Sequence, residues 1–245
     1  NALGLLPVRG AIAGLGRLSY EAQHGLYVHP TLVVTAEGLA LGVIDAWMWA
    51  RGPKGQPQVK ESTRWVEGYE IVADLAERTP DTRLVYVADR EGDLRALMDA
   101  AARRGTPADW LVRAKHDRKT IAGEKLWDRL GRSDALGEVE FTLPAAPDRP
   151  ARVVRQTLRR ESVTLPARNG VPTVTATAIL AREAHPPAGQ KAIEWRLLTN
   201  RTAETLETVV ELIDWYRRRW LVEVFFRIWK SGCRVEALQL GSLER

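Results

Sequence analysis

Four side chains towards the C-terminal end have types and spacing that could do chemistry together: Tyr216, Arg219, Glu223 and Lys230, at offsets of 0, 3, 7 and 14 residues. On a helix turning about 100° per residue they share a sector roughly 60° wide. One face would then carry a phenol, a guanidinium, a carboxylate and an ammonium. The apolar residues Leu206, Val209, Val210, Ile213, Trp220, Val224 and Ile228 take a neighbouring sector, centred about 110° away. The polar row would be about 21 Å long. That is too long to grip one small substrate, and it suits an extended polyanion held beside a single acidic centre.

A second acid stands far upstream. Leu84 to Ala88 is a short, continuous apolar run, the pattern of a strand buried on both faces, and Asp89 follows it directly. Open α/β sheets place their chemistry at the carboxyl ends of strands. Phosphoryl transfer on two metal ions needs two or three hard oxygen ligands, which Asp89 and Glu223 could help supply. The structural alternatives stay open: Asp89 as the cap of the helix after it, and Glu223 as a surface partner of Arg219 or Arg227. Glu91 suits a first helical turn, and Asp93 lies close by. His24, His29 and His185 have no metal-ligand spacing, whereas His116 has basic neighbours. Cys233 has no nearby histidine, and no phosphate loop or serine motif is present. Trp195 reads as core packing or as a platform on which a base leaves the duplex to stack.

The elements that would position these groups can be read in order. Residues 26–35 and 39–50 form a hairpin around Glu37-Gly38, interrupted at Pro30, with Trp47 and Trp49 on one face. A helix capped by Ser62 runs from about 61 to 77. The strand 84–88 leads into a helix over 92–103, and Trp110 to Ala114 is a second buried strand. From 120 to 190 the chain turns to short alternating runs at 138–143, 151–158, 161–165 and 173–182, which read as a β-rich insertion. A return strand over 193–199 precedes a long helix from 203 to 231, capped by Thr202. The expected domains are a catalytic core over 1–119, the insertion over 120–190, and the core's last strand and long helix over 191–245.

Composition bounds the partners. The 245 residues are 45% hydrophobic and 27% charged, with a net charge of +5, nine Trp and a single Cys. That balance reads as a soluble globular protein of a reducing compartment, with no membrane span and a basic surface fit for a polyanion. The charge gathers in two places: Arg113, Lys115, His116, Arg118 and Lys119, and Arg217, Arg218, Arg219, Arg227 and Arg234.

The spacing Tyr216-x2-Arg219-x3-Glu223-x6-Lys230 resembles the Tyr-Arg-Glu-Lys signature of the insertion-sequence type 4 family of DDE transposases. Val87-Ala-Asp89-Arg-Glu-Gly-Asp93 is similar to the segment that carries that family's second catalytic Asp. Leu111 to His116 and Trp195 to Thr199 look like further family segments in the same order. The resemblance implies an α/β fold of RNase H-like type, a mixed sheet with helices interrupted by the β-rich insertion. It implies cut-and-paste transposition through DNA hairpins, dependent on Mg2+ or Mn2+ held in part by Asp89 and Glu223. Tyr216, Arg219, Lys230, Arg113, Lys115 and Arg90 would hold DNA, and Trp195 would receive the flipped base. The implied partners are transposon-end DNA, target DNA and a second copy in a synaptic dimer, in a bacterial cytoplasm at the nucleoid.

One departure bears on activity. The family's first catalytic Asp precedes a segment seen here as Leu15 to Tyr20, yet residues 1–14 contain no Asp or Glu. Asp45 falls mid-strand, where the family has no catalytic acid. The expectation is a catalytic core that is defective as it stands, or a non-catalytic DNA-binding remnant, with the strand bearing the first acid missing and a sheet edge left open.

Overall fold

The computed structural model describes residues 2–4, 15–18, 24–52, 60–145, 150–168 and 170–237. Residues 5–14, most of the stretch in which an acid was sought, lie outside them. The architecture is mixed α/β, and the chain divides into two compact units, 1–68 with 218–245, and 69–217.

The first unit holds the expected hairpin. Strand β3 (His24–Val34) pairs antiparallel with β4 (Ala40–Trp49), and the short strands β1 (Ala2–Gly4) and β2 (Gly16–Arg17) flank the start of β3. Pro30 does not interrupt the strand: it sits opposite Ala46. Beyond Tyr27, β3 is paired with β4 alone among the described residues, so a missing N–H on the outer edge forfeits no ladder bond. Gly38 turns the hairpin with a φ of 99°, a conformation that costs glycine nothing. Trp47 and Trp49 do share a face, their rings 4.6 Å apart, and Trp49 stacks on Tyr27 at 5.0 Å. Arg51 lies over Tyr27 and binds Glu61 at 2.6 Å, and this hydrogen bond holds the Glu61 carboxyl below the usual carboxylate range. Gly16 lies so close to Arg51 that an added Cβ would overlap the Arg51 backbone. Gly16→Ala is therefore expected to cost about 1–3 kcal/mol, as overpacking against unyielding atoms does, read as a lower urea midpoint.

The second unit is built on a six-stranded sheet in the order β5-β6-β10-β9-β8-β7. Strand β5 (Val85–Ala88) runs parallel to β6 (Asp109–Arg113), joined through α2 (Arg95–Arg103). Strands β7 (Gly137–Leu143), β8 (Arg152–Leu165), β9 (Val174–Glu183) and β10 (Glu194–Thr199) are antiparallel, and β10 returns beside β6. The β-rich stretch thus continues one sheet rather than closing on itself. Its runs at 151–158 and 161–165 are a single strand: Arg159, Arg160 and Glu161 break the alternation in sequence but stay in register with Leu180, Ile179 and Ala178. The short helix α3 (Leu126–Arg132), with Leu126, Trp127 and Leu130 buried, was not foreseen.

Helix α1 (Thr63–Arg78) starts near the expected place, and Tyr69 on it is fully buried. Its hydroxyl donates to the Ala108 carbonyl at 2.8 Å, and burial pushes its pKa up to about 12. The expected 203–231 helix is instead three pieces: α4 (Leu206–Arg218), α5 (Leu221–Arg227) and a π-turn over Ile228–Gly232. Its cap is Thr205, not Thr202. The Thr205 hydroxyl accepts from Thr208 N at 3.3 Å, and the Thr208 hydroxyl accepts from Thr205 N at 3.2 Å. Val209, Leu212, Ile213 and Tyr216, at helical spacing, bury against Leu111, Leu158, Ile179 and Leu197 of the sheet.

Candidate active site

Register, more than side-chain type, gathers the candidate residues of the second unit. Ala88 pairs with Val112, so Asp89 leaves β5 beside Arg113, the last residue of β6. Arg113 pairs in turn with Leu197, and Ala114 N donates to the Arg196 carbonyl at 2.7 Å. Asp89, Arg113, Lys115 and Trp195 thereby fall at one end of three adjoining strands. The opposite end holds Asp109, buried and bound by Arg83, Arg201 and Asn200, which is a structural knot.

Asp89 caps the turn that follows it. Its Oδ1 accepts from Glu91 N at 2.8 Å and opens a 3-10 turn over Arg90–Gly92. The alternative of a helix cap is therefore met, but by a shorter turn than expected, and α2 begins only at Arg95. Asp89 is half-buried, Arg90 beside it is exposed, and Oδ2 makes no hydrogen bond among the described residues. A strand-end carboxylate with one oxygen spare is the kind of hard donor that Mg2+ takes. Asp93 is turned to the segment after β6 instead: its Oδ2 accepts from two backbone amides there and its Oδ1 lies 2.6 Å from Arg118 Nη1. Among the described residues no three His, Cys, Asp or Glu side chains gather as a metal-holding group.

Lys115, His116 and Lys119 are exposed on the segment after β6, while its backbone is tightly held. Lys115 N and His116 N both donate to Asp93, Trp127 Nε1 donates to the His116 carbonyl at 3.2 Å, and Lys125 Nζ donates to the Asp117 carbonyl at 2.8 Å. Arg113 Nη2 reaches the Glu194 carbonyl at 3.3 Å.

Trp195 meets its core-packing reading. It packs against the core cluster, stacked on Phe141 with centroids 5.8 Å apart and planes 17° apart, and it meets Tyr216 edge-on at 6.3 Å. It also lines a pocket of about 190 Å3 with Phe141, Gln156, Ile213, Asp214 and Arg217. Arg217 lies over the Phe141 ring at 5.1 Å and donates to Asp214 at 2.9 Å. Gln156 is fully buried; its Nε2 donates to the Ile193 carbonyl while its Oε1 has no hydrogen-bond partner among the described residues. Phe141, Gln156 and Arg217 were missed in the sequence, since nothing in an alternating strand or an Arg cluster says which members face the same pocket.

Tyr216 is not on an open face. It is 5% exposed and belongs to the core cluster, because it completes the spacing begun by Val209, Leu212 and Ile213. Counting the phenol as polar hid that pattern.

Arg219, Glu223 and Lys230 belong to the first unit. Arg219 Nη1 lies 3.9 Å from Glu223, and Lys230 Nζ lies 3.2 Å from Glu236. Lys230 sits in the π-turn, whose bond from Cys233 N to the Ile228 carbonyl spans five residues, so it departs from the angular row computed for a regular helix. Trp220 and Ile228, assigned to the inward stripe, are 65% and 57% exposed. The stripe holds along α4 and lapses where the helix divides. No described helix is long and apolar enough to cross a membrane. A family profile described as the transposase DDE domain matches residues 58–245.

Proposed function

Because the chain belongs to the transposase DDE domain family, we propose that it is the catalytic core of a DNA transposase of the insertion-sequence type 4 kind, with an RNase H-like sheet. The carrying observation is the register that lines Asp89, Arg113, Lys115 and Trp195 along one end of the sheet, inside the matched stretch. In this reading Asp89 and Glu223 are two of the carboxylates that hold Mg2+ or Mn2+. The metal, when bound, polarises the scissile phosphate and activates the attacking oxygen. Arg113, Lys115 and Arg90 grip the backbone of the transposon end, and Arg219, Lys230 and Tyr216 hold phosphates near the cut. Trp195, with the pocket beside it, receives a base drawn from the duplex. Target DNA and a second copy complete the synaptic assembly, at the bacterial nucleoid.

Residues 1–14 offer no carboxylate, so the 245 residues as given bind DNA and cleave it poorly. The test is nicking of a labelled duplex by this chain with and without Mg2+. The expected result is nicking barely above background and unchanged by Asp89→Ala. Vigorous, Mg2+-dependent nicking that disappears in Glu223→Ala would overturn the defect while keeping the transposase.

The second reading, a DNA-binding remnant without catalysis, is favoured by the exposed cations of the segment after β6. Both readings require DNA affinity that falls steeply with salt. Affinity that stays flat between low and physiological salt would sink both.

A further inference from the structure

Asp93 is buried to 1% exposure, yet it is a carboxylate, and among the described residues its side-chain partners come from one segment. Its Oδ2 accepts from Lys115 N at 2.7 Å and from His116 N at 3.0 Å. Its Oδ1 lies 2.6 Å from Arg118 Nη1, and its carbonyl accepts from Arg118 Nη2 at 2.9 Å. Asp93 also ends the 3-10 turn that Asp89 begins. One side chain thus fastens the turn bearing the acid to the segment bearing the cations.

We infer that Asp93 is a positioning residue: its carboxylate locks the segment over 113–119 so that the Lys115 and His116 side chains stand at a fixed place beside Asp89, ready for a DNA backbone. The inference rests on the DNA-binding reading above. A buried carboxylate is costly unless it is paired and hydrogen-bonded. Here that cost is offset by two backbone amides on Oδ2 and by the Arg118 charge beside Oδ1, although Oδ1 itself accepts no hydrogen bond among the described residues, and all of these partners restrain this one segment. Lys115 and His116 give up their backbone N–H groups to the lock and keep their side chains in solvent. A cation on a restrained backbone loses less freedom on meeting a phosphate than one on a loose loop, so the lock favours binding beyond its effect on folding.

The geometry also sets what a substitution does. In Asp93→Asn the amide oxygen can still accept the two backbone N–H groups, but its NH2 then faces the Arg118 guanidinium, donor against donor. The fold is retained and the lock is loosened. In Arg118→Gln the two amide bonds survive and the ionic half of the lock is lost.

The experiment measures duplex-DNA affinity across a salt series for the full chain, Lys115→Ala, Asp93→Asn, Arg118→Gln and the double variant Asp93→Asn/Lys115→Ala. Amide hydrogen exchange at Lys115 and His116 is read in parallel, without DNA. The expected result is that Asp93→Asn lowers the log–log salt slope by about 0.9, the loss of one phosphate contact. Lys115→Ala does the same alone and adds nothing in the double variant. Arg118→Gln falls between. Exchange at the two amides quickens by tenfold or more in Asp93→Asn. If the slope and the Lys115 effect survive in Asp93→Asn while only thermal stability falls, Asp93 is a structural residue and the inference is overturned. If even the unaltered chain shows no salt-dependent binding, the DNA reading fails with the inference, and slow exchange at the two amides would show that the lock itself exists.

Discussion

Replacing Asp109 by alanine is expected to lower the unfolding free energy by about 3 kcal/mol, the lower end of what breaking a buried ion pair costs. Asp109 is 4% exposed at the start of β6. Arg83 Nε and Arg201 Nη1 reach its Oδ2 at 2.5 and 3.1 Å, and Asn200 Nδ2 reaches its Oδ1 at 2.7 Å. The loss sits at the lower end because Arg83 is largely exposed and can swing into water. Arg201 cannot leave so easily, since it lies over the Trp215 ring at 4.8 Å, and Asn200 also accepts from Trp110 N. The alanine therefore strands donors beside a fully buried tryptophan. Burial alone would raise the Asp109 pKa, but the hydrogen bonds from Arg83 and Asn200 and the charges of Arg83 and Arg201 outweigh it and hold the carboxyl below its usual value. A depressed native pKa stabilises the fold above the unfolded-state pKa, about 3.9, and that stability is lost as pH falls through the native value. Glu61 and Glu183 are depressed too, chiefly by hydrogen bonds from Arg51 and Arg152, and act with the same sign. Urea unfolding from pH 6 down to pH 2 should show stability falling below about pH 4, less steeply in Asp109→Asn. An equal slope in both proteins would remove Asp109 from the account.

What could be read from the sequence, and what could not, divides along physical lines. The strands β5 and β6 were legible because both are short apolar runs buried on both faces, and a run of that kind has few other stable homes. The hairpin was legible from its β-branched runs around Glu37-Gly38. That Asp89 follows the end of β5 was legible, and register puts Arg113 and Trp195 along the same end. Three features were not legible. The merging of two runs into β8 depends on pairing with β9, which is not local. The burial of Tyr216 depends on treating a phenol as apolar, and only its neighbours at helical spacing decide that. The division of the last helix at Arg218 and the π-turn around Lys230 arise in a stretch with no glycine or proline before Gly232 to mark them. The angular row of four groups was sound arithmetic for a regular helix, and the helix is not regular there.

Tyr216 therefore carries the second large prediction, because its core packing and its proposed phosphate contact make different demands. As a core residue, 5% exposed among Val209, Leu212 and Ile213 of its own helix and edge-on to Trp195, it should cost about 3–5 kcal/mol when cut to alanine, as buried aromatics do. A Tyr216→Ala protein that lost DNA binding would say nothing about phosphate contact, since the sheet face that positions Trp195 would be damaged too. Tyr216→Phe separates the roles. The ring stays and fills the same space, so the thermal midpoint should fall little, within about 1 kcal/mol for one hydrogen bond. If the hydroxyl also meets a phosphate near the cut, DNA affinity should fall about tenfold at that nearly unchanged stability, the worth of a hydrogen bond to a charged group. Affinity unchanged in Tyr216→Phe, beside a large stability loss in Tyr216→Ala, would leave Tyr216 as the anchor of α4 on the sheet and confine the proposed phosphate contacts of this stretch to Arg219 and Lys230.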